Sequence, residues 1–314
     1  MTIKRKGKAD LELELSLDMT GASKQVSGTL TRKLNGTTLT VSKIAAKRAH
    51  YSNALKADAS LAGAVSQRYN LILPAKAQVP VLATNLYPQG VGIGSLVVKP
   101  DGSVSCAVTL ADNTVMPTWA AKLTEANTLV VFGALYSAKG CFAAEVKLDP
   151  LQAATDAAGV NALWCRPAIA TSQWYPAGWP TGLNVDIFGS KLSVVTGSSV
   201  VPALGAENLV NGNADLTFAG GLTPGIGKLV SVSVADKVTR VPTTDASFTA
   251  SITRTTGGVR GTVVHPATAK AVNWQAILFQ KAGIHQGGHG FFLSPLPKPV
   301  TGVGESGAVL FKAK

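Results

Sequence analysis

The sequence predicts an all-β protein whose antiparallel meanders form two barrel- or sandwich-like modules. Three observations lead there. Apolar residues recur with period two in short runs, tight-turn dipeptides separate those runs, and one turn–strand–turn unit recurs along the chain.

The first run follows a basic start. Leu11, Leu13, Leu15 and Leu17 alternate with Glu12, Glu14 and Ser16, the pattern of a half-buried strand. Asn35-Gly36, Asp101-Gly102 and Gly257-Gly258 each lie between alternating runs. These dipeptides signal hairpins, because type I′ turns need positive φ at both central positions. The end of the chain, GGHGFFLSPLPKPVTGVGESGAVLF, reads as a glycine-rich strand pair.

The recurring unit reads VSGTLT at 26–31, VSCAVT at 104–109 and VRGTVV at 259–264. A turn precedes each copy, and a second turn and a third strand follow. In the second and third copies that strand carries Trp119 with Leu123, and Trp274 with Leu278. Val26 and Val104 lie 78 residues apart, and Val104 and Val259 lie 155 apart, close to twice that. No copy is visible near residue 182, where the period would put a fourth. Three strands alone cannot close their own edges, so such units must stack or wrap together.

The expected organisation is a flexible basic tail at 1–8, a first β module at 9–158 and a second at 159–314. Helical character is expected only at DPLQAATDAAGVN (149–161) and at 46–63.

Composition narrows the function class. Charged residues make up 15%, against ~25% in average soluble domains. Low charge with abundant Gly, Ser, Thr and Val fits secreted or surface β proteins. The net charge of +12 favours an acidic partner, and Lys4, Arg5, Lys6 and Lys8 concentrate it in a site for non-specific anionic contact. No dense basic stripe interleaved with aromatics marks a specific nucleic-acid reader. No apolar run reaches the ~18 residues of a spanning helix. The basic start leads into LELELSLD rather than an apolar leader, so the chain is expected either to stay inside or to be the mature part of an exported protein.

Candidate sites follow from residue chemistry. Three of the five tryptophans, Trp164, Trp174 and Trp179, cluster with Tyr175 among turn-forming Pro and Gly. Aromatic faces with a polar handle suit sugar rings and partner surfaces, and these four are the candidate ligand-binding residues. The competing reading is core packing. His285 and His289 have the spacing of a helical metal pair, but two glycines intervene and no acidic or thiol ligand lies near. No metal or cofactor is expected. Gly90, Gly92 and Gly94 superficially suggest a phosphate loop, yet the β run SLVVK follows instead of a helix. Cys106 and Cys141 lie on expected neighbouring strands, so a bridge is one reading. The other is that Cys106 fills the small-residue slot held by Gly28 and Gly261. Cys165 has no nameable base. Asp186, Glu207, Asp215, Glu305, Glu145 and Asp149 form no recognisable catalytic pair.

Several strings together resemble a known family: GSLVVKPDGSVSCAVTLADNTV, LYSAKGCFAAEV, LWCRPA with WYPAGW, VRGTVVHPATAKAV with ILFQK, and GHGFFLSP with GESGAV. They resemble β-rich C-terminal domains of large secreted or surface proteins of Verrucomicrobia and Planctomycetes, over roughly residues 25–312. The resemblance implies an exported β domain of unassigned function and carries no catalytic residues.

The sequence thus points to a non-catalytic exported protein, extracellular or on the cell surface, acting as a structural, adhesive or binding module. Its partners would be surface glycans or other subunits, including its own copies. One alternative is a self-assembling subunit of a viral shell or extracellular filament. Another is a carbohydrate-active enzyme.

Overall fold

A computed structural model describes residues 1–17, 25–34, 37–76, 86–220, 225–295 and 302–314. It is nearly all β, with antiparallel sheets throughout. Among the described residues no helix is long and apolar enough to cross a membrane.

The first sheet is small and follows chain order: β1 (Thr2–Ile3), β2 (Leu11–Leu17), β3 (Gln25–Leu34) and β4 (Thr37–Lys47). Ile3 pairs with Leu11, and Lys4 Nζ meets Asp10 Oδ2 at 2.6 Å. The segment expected as a flexible tail is therefore the arm of a hairpin, because Ile3 extends the apolar face of β2. Asn35-Gly36 lies outside the described residues.

The second sheet runs over β5 (Gln67–Pro74), β6 (Val91–Val98), β7 (Ser103–Thr109), β8 (Trp119–Lys122), β9 (Thr128–Leu135), β10 (Gly140–Leu148), β11 (Ala157–Arg166) and β12 (Trp179–Lys191). Its spatial order is β8-β7-β6-β5-β12-β11-β10-β9, and the edge strands β8 and β9 adjoin, so the sheet nearly closes as a barrel. The module boundary expected at 158/159 falls inside β11, which is paired with β10 on one side and β12 on the other.

The third sheet runs over β13 (Ala214–Ala219), β14 (Ile226–Val232), β15 (Val238–Val241), β16 (Phe248–Thr253), β17 (Gly258–Val264), β18 (Ala271–Phe279), β19 (Gly287–Ser294) and β20 (Glu305–Ala313). Its order is β15-β14-β13-β20-β19-β18-β17-β16, with β15 and β16 approaching in a sandwich-like arrangement. The terminal strand pair read from the sequence is β19 with β20.

The segment expected to be helical at 46–63 forms a single turn, α1 (Ala59–Ala62), capped by the Asp58 carboxylate on Ser60 N at 2.6 Å. The segment at 149–161 forms turns and then enters β11. Thr155 fixes that entry by donating from its hydroxyl toward the carbonyls of Ala157 and Gly189. Alanine's helix preference yields there to pairing of β11 with β12.

Each large sheet encloses its own core. Tyr69, Leu96, Phe142 and Trp164 fill the first, and Phe218, Phe248, Trp274 and Phe311 the second. The strings VSGTLT, VSCAVT and VRGTVV fall on β3, β7 and β17. In the latter two the slot residue faces a tryptophan: Cys106 pairs with Trp119 and Gly261 with Trp274. A Cβ on Gly261 would sit 1.9 Å from the Thr249 carbonyl oxygen, so only a minimal residue fits. Cys106 is buried and unbridged; it points inward from β7, whereas Cys141 shares the outward parity of β10. The considered Cys106–Cys141 bridge is thus geometrically wrong, because the two side chains lie on opposite faces.

The two large sheets pack against each other through β5 and β6 on β18 and β19. Strand β5 is buried on both faces: Tyr69, Leu71 and Leu73 enter the barrel core, while Ile72 meets Ile277 and Phe279 between sheets. Asn70 Nδ2 donates to the Leu278 carbonyl at 2.9 Å, and Ser190 Oγ accepts from the backbone N–H groups of Gln280 and Lys281 at 2.9 and 2.7 Å. Gly90 allows the closest approach, since a Cβ there would lie 2.3 Å from Phe291 Cβ. GVGIGS is the entry to strand β6, which begins at Val91.

Phe279 is fully buried at this junction. Phe279→Ala should therefore lower unfolding stability by about 3–5 kcal/mol, read from the shift in urea midpoint.

Candidate functional site

The outer face of β16–β18 is polar, and β19 adds the apolar Phe291 and Leu293 beside it. Alternation along each strand brings Ser251, Arg260, Gln275 and Phe291 into one cross-strand row. Thr249, Thr262 and Asn273 form the next, with the two threonine hydroxyls 2.9 Å apart. This face is the floor of a groove of about 890 Å³.

The walls come from the second sheet. The β7–β8 connection contributes Asp112 and Asn113, and the β11–β12 connection contributes Trp174. Gln275 Nε2 donates to Asn113 Oδ1 at 3.1 Å, tying wall to floor. Trp174 Nε1 donates to the Ser294 carbonyl at 3.3 Å, which leaves its ring partly exposed along the groove. Asn113 and Tyr175 hold positive φ, of 66° and 50°, so the backbone of both walls is bent into conformations that non-glycine residues rarely adopt.

Beneath the walls lies Arg166, only 4% exposed. Its Nε lies 3.0 Å from Asp112 Oδ2, and its terminal nitrogens reach Ser172 Oγ at 3.0 Å, the Trp174 carbonyl at 3.2 Å and the Tyr175 carbonyl. Tyr136 donates its hydroxyl to Asp112 Oδ2 at 2.7 Å, and Trp164 Nε1 donates to that hydroxyl at 3.0 Å. Asp112 Oδ1 accepts the Thr114 N–H at 2.9 Å. The guanidinium also lies over the rings of Tyr136 and Trp179 at 5.7 and 5.6 Å. Burial and then the Asp112 charge push the Tyr136 phenol well above its ordinary range. Tyr175, whose hydroxyl meets Ser306 Oγ across the sheets, is pushed up to about 12, mainly by burial.

The four aromatic candidates are thus brought together, but in two roles. Trp164, Tyr175 and Trp179 are buried and pack edge to face around Arg166, with centroids 4.6 Å apart for Trp164–Trp179 and 5.5 Å for Tyr175–Trp179. Trp174 lines the groove. Sequence reading missed Arg166, Asp112 and the floor residues. Arg166 carried a signal: a cation inside LWCRPA, among aromatics, must find a partner if its neighbours are buried.

The other candidates are dispersed. His285 stacks on Phe188 with centroids 4.2 Å apart, and His289 Nε2 lies 2.8 Å from the His285 carbonyl oxygen. Burial is the first cause that lowers both imidazole pKa values. Among the described residues no three His, Cys, Asp or Glu side chains come together to hold a metal. Asp186, Glu145, Asp149 and Asp215 form surface ion pairs with Lys76, Lys47, Lys147 and Lys314. Glu207 is exposed, and the Glu305 side chain lies outside the described residues.

No protein-family model, no curated protein and no solved structure matches the chain.

Arg166→Met should lower unfolding stability by about 3–5 kcal/mol, because it strands the Asp112 carboxylate in a buried site. The double change Arg166→Met with Asp112→Asn should recover part of that loss. Urea denaturation of both variants checks the pair.

Proposed function

We propose that this chain is a non-catalytic binding module that holds an acidic oligosaccharide in the groove between its two large sheets. One observation carries the reading: a partly exposed tryptophan, Trp174, overhangs a floor of amide, hydroxyl and guanidinium side chains. Such a surface supplies an apolar plate for a ring and paired donors and acceptors for its hydroxyls. Arg260 and the net charge of +12 favour an acidic ligand. The chemistry of the wall favours binding over hydrolysis. Glycoside cleavage uses two carboxyl groups flanking the bond, and Asp112 is already engaged by Arg166, Tyr136 and Thr114. In this reading the module is exported to the cell surface, where such glycans are.

Acidic glycans on an array should bind the wild-type chain, more weakly at high salt. Trp174→Ala should reduce affinity at least tenfold with the fold intact by circular dichroism. Arg260→Ala should flatten the salt dependence. Unchanged binding in both variants would refute the groove as the site.

A second reading, self-assembly, is favoured by the N-terminal sheet. Leu11, Leu13, Leu15 and Leu17 share one face with Val26, Leu30 and Ile44 by register. No described side chain of this sheet is buried, and Leu15 and Leu17 are 54% and 59% exposed. The occupant that fits is the same face of a second copy, since two apolar sheet faces stack about 10 Å apart as a sandwich. At about 3.3 Å per residue and 4.8 Å per strand the flat footprint is roughly 500 Å². Side-chain relief brings it near the ~600 Å² per partner of small specific interfaces. Light scattering should show a dimer or larger particle that Leu15→Glu with Leu17→Glu converts to monomer. A wild-type monomer at high concentration would sink this reading.

A further inference from the structure

Cys141 and Cys165 are register partners on β10 and β11. Directly opposed residues of an antiparallel pair have Cα atoms about 4.5–5.5 Å apart. That lies inside the roughly 4.4–6.8 Å a disulfide spans. The two side chains also point the same way. Their neighbours Phe142 and Trp164 are themselves register partners and lie in the barrel core, so both cysteines share the outward face. Both are partly exposed, whereas Cys106 is 4% exposed. Partial burial, and after it the adjacent Cys141 group, raises the Cys165 thiol above its ordinary range.

We propose that Cys141 and Cys165 form a cross-strand dithiol on the outer wall of the barrel that closes to a disulfide by exchange with a small-molecule disulfide. One cysteine thiolate attacks the small disulfide, forms a mixed disulfide and releases a thiolate. The second cysteine thiolate attacks the protein sulfur of that intermediate and releases the other. The two departing thiolates take up the two cysteine protons, so two protein thiols and RSSR yield one protein disulfide and two RSH. The new bond ties β10 to β11 one residue before Arg166, bracing the strand end that leads into the Trp174 wall of the groove. An oxidising compartment favours the closed form.

The test uses the reduced full-length chain, incubated with oxidised glutathione, then unfolded, alkylated, weighed and digested. The expected result is one alkylated thiol, Cys106, and a peptide pair joined through Cys141 and Cys165. Cys106→Ser should form the same link. Cys165→Ser should instead carry glutathione on Cys141. Three alkylated thiols, two stable glutathione caps on one chain, a link between chains, or a link through Cys106 would each overturn the proposal.

Discussion

The buried Arg166 guanidinium is the constraint on which the site depends. An isolated charge in a protein interior costs several kcal/mol even after relaxation. Here the cost is offset only because one carboxylate, one hydroxyl and two backbone carbonyls converge on it. Those acceptors belong to two connections far apart in sequence, one holding Asp112 and the other residues 172–175. Satisfying one cation therefore fixes both walls of the groove. The positive φ at Asn113 and Tyr175 fits this account, since strained backbone persists only where its surroundings over-determine it.

The floor is fixed independently. It belongs to the third sheet, and the junction between sheets is held by Ile72, Ile277 and Phe279 and by the Asn70 and Ser190 hydrogen bonds. Lys281 adds an ion pair to the buried Asp156 at 2.9 Å. Groove geometry thus rests on two packed cores and the junction between them, rather than on loops alone. A preformed concave surface loses little conformational freedom on binding, which suits the binding role proposed for the groove.

The β class was legible because period-two alternation and glycine turns are local signals. Sheet membership was not, because β5 pairs with β12 and β13 with β20 across long stretches of chain. A boundary near 158 follows from the helical character expected at 149–161, yet β11 and β12 complete the barrel that β5 begins. The aromatic cluster was visible, but its division into core and groove was not. Trp164 and Trp179 turn inward by strand parity and pack on Arg166, and only the loop position of Trp174 frees its ring. The floor residues had no signal at all. Thr, Asn and Gln on a strand read as a solvated face until a second sheet rises beside them.

The placement of these features has a common cause. A nearly closed eight-stranded sheet leaves an interior that side chains fill, and here Tyr69, Phe142 and Trp164 fill it. A ligand cannot enter such a core without unfolding it. The roles proposed above accordingly use what the sheets present outward: the groove where two sheets meet, the leucine face of the N-terminal sheet, and the thiol pair on the barrel wall. The groove floor and the thiol pair lie on positions of the parity opposite to the core. In this fold the same alternation that specifies packing also assigns every second residue to the outer surface, where binding, assembly and modification can occur without disturbing what lies beneath.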